Sequence, residues 1–114
     1  MKIILSSVFT LAFLSIIGLS CSKSSTSNSN NTNPNSVTMA SMSFSPVTLT
    51  VKSGTTITWT NTDNIAHTVT ADDNSFSSGT LNSGDKFTHT FNTTGTFKYH
   101  CNFHSMMVGS IIVN

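Results

Sequence analysis

From Val37 onward the chain predicts an all-β domain, a sandwich or barrel of about seven short strands. Three observations carry that prediction. Apolar and polar residues alternate with period two, in segments rich in Val, Ile, Thr and aromatics. Clusters of Gly, Asn, Asp and Ser interrupt the alternation at close intervals, as turns do. No part of the domain shows the 3.6-residue period of an amphipathic helix.

Two segments of different character precede the domain. Lys2 is followed by Ile3 to Leu19, almost wholly apolar and broken only by Ser, Thr and Gly. Small residues lead up to Cys21, as in a secretory signal. The run is short and interrupted for a membrane-spanning helix. Leu19-Ser20-Cys21 looks like a bacterial lipoprotein cleavage site, although Gly18 stands where an aliphatic residue is usual. Residues 1–21 are therefore assigned as a signal ending at a lipidated Cys21, whose acyl chains would anchor the protein to a membrane. Residues 22–36 are Ser, Thr and Asn with one Pro and one Lys. They offer no apolar side chain to bury and predict a disordered tether. The folded domain is expected over 37–114.

Within it, Ala40, Met42 and Phe44 are predicted on one face of a first strand, which Ser45-Pro46 breaks. Val47, Leu49 and Val51 resume the alternation, with Thr48 and Thr50 opposite. Lys52-Ser53-Gly54 turns the chain. Ile57 and Trp59 then face one way and Thr56, Thr58 and Thr60 the other. Asn61 to Asn64 form a loop of side chains that bond their own backbone. His67, Val69 and Ala71 share an inward face. Phe76 and Leu81 plug the core from the irregular stretch 72–85. Phe87, His89 and Phe91 line up on the next strand, then Phe97, Tyr99 and Cys101 after a turn at Asn92 to Gly95. Ile111 and Val113 share a face of the last strand.

Charge excludes one class of partner. From Ser22 on, Lys23, Lys52, Lys86 and Lys98 balance Asp63, Asp72, Asp73 and Asp85, and there is no Arg. A nucleic-acid surface needs a basic patch, and this chain has none.

The chemistry gathers in Cys101-Asn102-Phe103-His104-Ser105-Met106-Met107. A thiolate, an imidazole and a thioether on one short loop suit a soft, redox-active metal, copper first. His67, in the β-rich stretch upstream, supplies the missing strong ligand. The candidate site is His67, Cys101 and His104 in a trigonal set, with Met107 as a weak axial ligand. Zinc fits less well, because a thioether is a poor zinc ligand and no open position is suggested. Metal ligation also explains why Cys101 is left without a partner once Cys21 carries lipid. A Cys21–Cys101 disulfide is the plainer alternative, disfavoured by Cys21 lying beyond a floppy segment.

These residues carry a resemblance. Phe44-Ser45-Pro46, Leu49-Thr50-Val51, Gly54 to Asn61, His67-Thr68-Val69 and Gly95 to Cys101, followed by His104, Met107 and Gly109, resemble the blue-copper cupredoxins of the plastocyanin, pseudoazurin and amicyanin type. The Cys-x-x-His-x-x-Met spacing looks like amicyanin's. The resemblance covers 37–114. It implies a Greek-key β-sandwich of seven to eight strands, one copper ion cycling between Cu(I) and Cu(II), and one-electron transfer without bond chemistry, so no enzyme. Met107 rather than Met106 keeps the family spacing. Thr68 replaces the family's frequent Asn, and the loss of that residue's side-chain brace is expected. Asn102, Phe103 and Ser105 stand where amicyanin-type loops often carry Pro.

The resemblance further implies that His104 is the ligand nearest solvent. Ile65, Phe103 and Met106 would ring it as an apolar docking patch for transient redox partners. A monomer is expected, exported to the periplasm or cell surface, with the outer membrane favoured for the anchor. A copper carrier or storage protein with the same site is the alternative. A nitrite reductase or multicopper oxidase needs a further cluster of histidines, and only His89 and His100 remain. His89 is expected at the edge of the core with a hydrogen-bonded ring, and His100 on the surface.

Overall fold

A computed structural model describes residues 33–114. The predicted signal, the lipid-attachment residue Cys21 and most of the predicted tether lie outside the described residues. Eight strands follow in order: β1 Ser36–Ala40, β2 Ser43–Ser45, β3 Thr48–Val51, β4 Thr55–Asn61, β5 Thr70–Ala71, β6 Lys86–Phe91, β7 Gly95–His100 and β8 Val108–Val113. They form two four-stranded sheets, ordered β2-β1-β4-β6 and β3-β8-β7-β5. The described residues are thus an all-β sandwich, as the alternation predicts, with β1 beginning one residue earlier than the expected domain.

The chain changes sheet at every connection except β1–β2 and β7–β8. β1 runs parallel to β4, and β3 parallel to β8, while the other pairs are antiparallel. Inward residues from both sheets meet in one core: Val37, Met39, Phe44, Ile57, Trp59, Val69, Ala71, Phe91, Tyr99, Ile111 and Val113 are all buried. Trp59 lies at its centre, 5.6 Å from the rings of both Phe87 and Tyr99. Burying side chains of this size contributes about 1.5–3 kcal/mol each. Phe76 and Leu81, from the irregular stretch, close the core as predicted. That stretch is pinned to β5 and its approach by backbone bonds, among them His67 N–H to the Leu81 carbonyl (3.0 Å) and the reciprocal bond (2.8 Å).

The first strand departs from its predicted phase. Val37 and Met39 face the core, and Met42 is exposed. The pairs Met39–Phe44 and Ala40–Ser43 leave Ser41 and Met42 as a two-residue hairpin turn. Both have positive φ, 51° and 58°, as the twist of such hairpins requires. The turn takes Phe44 back to the inward face. Sequence reading missed it because Asn and Gly, which mark such turns, are absent.

Candidate metal centre

The site forms at one end of the sandwich, where β7 stops. Cys101 follows β7 directly, so the strand's inward phase, already used by Tyr99, delivers its sulfur into the interior. The loop from Cys101 to Met107 is closed by its own backbone: Met107 N–H donates to the His104 carbonyl at 2.9 Å, and Cys101 N–H to the Met107 carbonyl at 3.0 Å. Those bonds turn His104 back over the sulfur and bury Met107, which is 2% exposed, while Met106 is 91% exposed. His67 arrives from the other side of the chain, fixed by its two backbone bonds to Leu81.

Three predicted ligands converge. His67 Nδ1 and His104 Nδ1 are 3.2 Å apart. Cys101 Sγ lies 3.8 Å from the first and 3.6 Å from the second. A point equidistant from all three lies about 2 Å from each, close to a metal–imidazole bond length. His67 and Cys101 are buried and His104 is partly so. With their lone pairs turned inward, three donors this close would repel one another unless a cation lay between them. One thiolate and two imidazoles are the trigonal set of a blue-copper site, so the residues present fit copper.

The donors are held by a surrounding layer. Thr68 N–H donates to Cys101 Sγ at 3.3 Å. Thr68 Oγ1 accepts from the Asn102 N–H at 2.8 Å, so Thr at this position supplies a brace of its own. The other nitrogen of His67, Nε2, is 2.6 Å from Asp63 Oδ2. That imidazole, and next the Met42 N–H, hold the Asp63 carboxyl below the usual carboxylate range, against the opposing effect of burial. Asp63 and Asn61 are the site residues that sequence reading passed over. Their only signal was a polar loop just ahead of His67.

The predicted patch residues Ile65, Phe103 and Met106 are all exposed, at 41%, 53% and 91%. His89 lies at the core edge as expected, but among the described residues its ring packs on aromatic neighbours, 4.7 Å from Phe76 and 4.8 Å from Phe91, in place of the expected hydrogen bond. His100 points away from the site and pairs with Asp72 at 2.6 Å and Asn102 at 3.1 Å. Cys101 forms no disulfide among the described residues.

Comparison with known proteins agrees with this arrangement. Residues 10–113 match the family model described as a cupredoxin-like domain. The chain is 32% identical over 87 residues to amicyanin-alpha of Methylorubrum extorquens, covering 68% of this chain and 69% of that one. It is 34% identical over 83 residues to the chloroplastic plastocyanin of Tetradesmus obliquus, covering 61% of this chain and 57% of that one's length. Among solved structures, a purple cupredoxin from Nitrosopumilus maritimus superposes with a TM-score of 0.66 at 33% identity, over 69% of this chain and 98% of that chain.

Proposed function

The chain belongs to the cupredoxin-like family, and on that premise we propose that it is a type 1 copper protein carrying single electrons between exported or membrane redox partners. His67, Cys101 and His104 would hold the copper, with the buried Met107 beside them as the fourth ligand. The observation that carries this reading is the convergence of one sulfur and two Nδ1 atoms with separations of 3.2, 3.6 and 3.8 Å. Copper, once bound, supplies the one-electron Cu(I)/Cu(II) couple.

The protein's part is to keep the donors still. Cys101 is gripped by the Thr68 N–H, and its own N–H by the Met107 carbonyl. His67 is tied by backbone bonds to Leu81 and by its ring to Asp63. Donors fixed from outside the site move little when an electron arrives, so little nuclear rearrangement opposes transfer. His104, the least buried of the three, is the exit toward solvent. Ile65, Phe103 and Met106 offer apolar area for brief docking, and sparse charge leaves little long-range steering. Residues 1–21 would export the chain and Cys21 would tie it by lipid to a membrane, with residues 22–36 as the tether.

The test is the visible spectrum of the purified chain after adding Cu(II). An intense thiolate-to-Cu(II) charge-transfer band is expected, absent in Cys101→Ser. A colourless wild-type protein overturns the reading. Release of copper to a chelator within seconds would instead mark a copper carrier.

A further inference from the structure

Of the two imidazoles in the site, that of His67 is fully buried, and its Nε2 meets the Asp63 carboxylate at 2.6 Å. The carboxylate is itself held from other directions. Ser41 N–H donates to its Oδ1 at 2.7 Å and Met42 N–H to its Oδ2 at 3.1 Å. These amides belong to the β1–β2 hairpin turn, whose two residues keep positive φ without being Gly. Asp63's own N–H donates to Asn61 Oδ1 at 2.9 Å. Asn61 is wholly buried and donates both amide hydrogens, to the carbonyls of Ile65 at 2.8 Å and Leu81 at 2.9 Å. Leu81 in turn is bonded through its backbone to His67. The carboxylate is thus set in place by residues from three parts of the chain, none of which touches the donor atoms.

An ionised carboxylate only accepts hydrogen bonds. A hydrogen on His67 Nε2 satisfies that acceptor and, in the neutral ring, leaves the lone pair on Nδ1, the atom that faces Cys101 and His104. An anion on the far side of an imidazole also strengthens its donor nitrogen. A stronger donor favours the more highly charged oxidation state. We propose that Asp63 is a positioning residue: clamped by the Ser41–Met42 turn, it fixes the His67 tautomer and biases the site toward Cu(II), lowering the reduction potential.

The proposal rests on the copper reading, but its first test does not. In metal-free protein, nitrogen NMR of the imidazoles should show His67 with hydrogen on Nε2 and none on Nδ1. Hydrogen on Nδ1 overturns the proposal, whether or not the chain binds copper. The second test compares wild type, Asp63→Asn and Asp63→Glu, each loaded with copper. Asp63→Asn keeps the size, removes the charge and should lower the Cu(II)-to-Cu(I) affinity ratio at least tenfold. That raises the one-electron potential by about 59 mV or more. Asp63→Glu should recover part of the shift. If Asp63→Asn unfolds more readily yet keeps the wild-type potential, Asp63 only anchors the turn and the proposal fails. If Asp63→Asn does not fold, the Asp63→Glu potential and the wild-type tautomer decide. A wild-type protein without a charge-transfer band defeats the copper reading and leaves the tautomer test standing.

Discussion

Thr68 is bonded twice to the segment that carries Cys101: its N–H donates to the cysteine sulfur at 3.3 Å, and its Oγ1 accepts from the next N–H, that of Asn102, at 2.8 Å. The two bonds join the strand entering from His67 to the loop leaving β7. Removing the hydroxyl while keeping the shape, as in Thr68→Val, removes the bond to the Asn102 N–H and should destabilise the protein by about 0.5–1.5 kcal/mol. Thr68→Ser should restore most of it. Urea unfolding of the three proteins measures the difference, and equal midpoints for Val and wild type would refute the brace.

Gly109 faces the Tyr99 ring across the β7–β8 pair. A Cβ at this position would lie 2.5 Å from both Tyr99 Cζ and its hydroxyl oxygen. The ring cannot easily withdraw, since it packs edge-on against Phe44 at 4.7 Å and Trp59 at 5.6 Å. Gly109→Ala is therefore expected to cost about 1–3 kcal/mol, the usual range for overpacking. Tyr99 lies two residues from Cys101, so the charge-transfer band should shift as well. Thermal unfolding and the visible spectrum check both.

Phe103 and Met106 stand exposed on the loop that carries His104. Phe103→Asp and Met106→Asp should slow electron exchange with a redox partner while leaving the charge-transfer band in place, because neither side chain holds the donors. Stopped-flow rates unchanged in both variants would remove the patch from the mechanism.

Burial holds the His89 imidazole below its ordinary pKa of 6.5. The unfolded chain then takes up a proton in a pH range where the folded one does not. Stability should fall as pH drops below 6.5 toward the lower folded value, and rise again in the opposite direction. His89→Gln removes this contribution and should flatten the dependence. Denaturant midpoints of both proteins on either side of pH 6.5 test the sign. A slope unchanged by the substitution would place its origin elsewhere.

The sequence by itself determined which residues could be strands and, in β4 and β7, which face they bury, because period-two alternation is a local property of the chain; Val47, read in one alternation with Leu49 and Val51, is instead exposed. Ile57 with Trp59, and Tyr99 with Cys101, face inward as the alternation predicts. It also set the spacing of Cys101, His104 and Met107, since one short loop must return upon itself to bring them together. Where local pattern carried no mark, tertiary structure decided. The Ser41–Met42 turn reverses the phase of β1 without Gly or Asn to announce it. Asp63 meets those amides across 21 and 22 residues of chain, and Thr68 meets Cys101 across 33. Such partners are chosen by the packing of two sheets, which brings distant backbone amides and a carboxylate to the same end of the sandwich. No periodicity along the chain encodes that meeting.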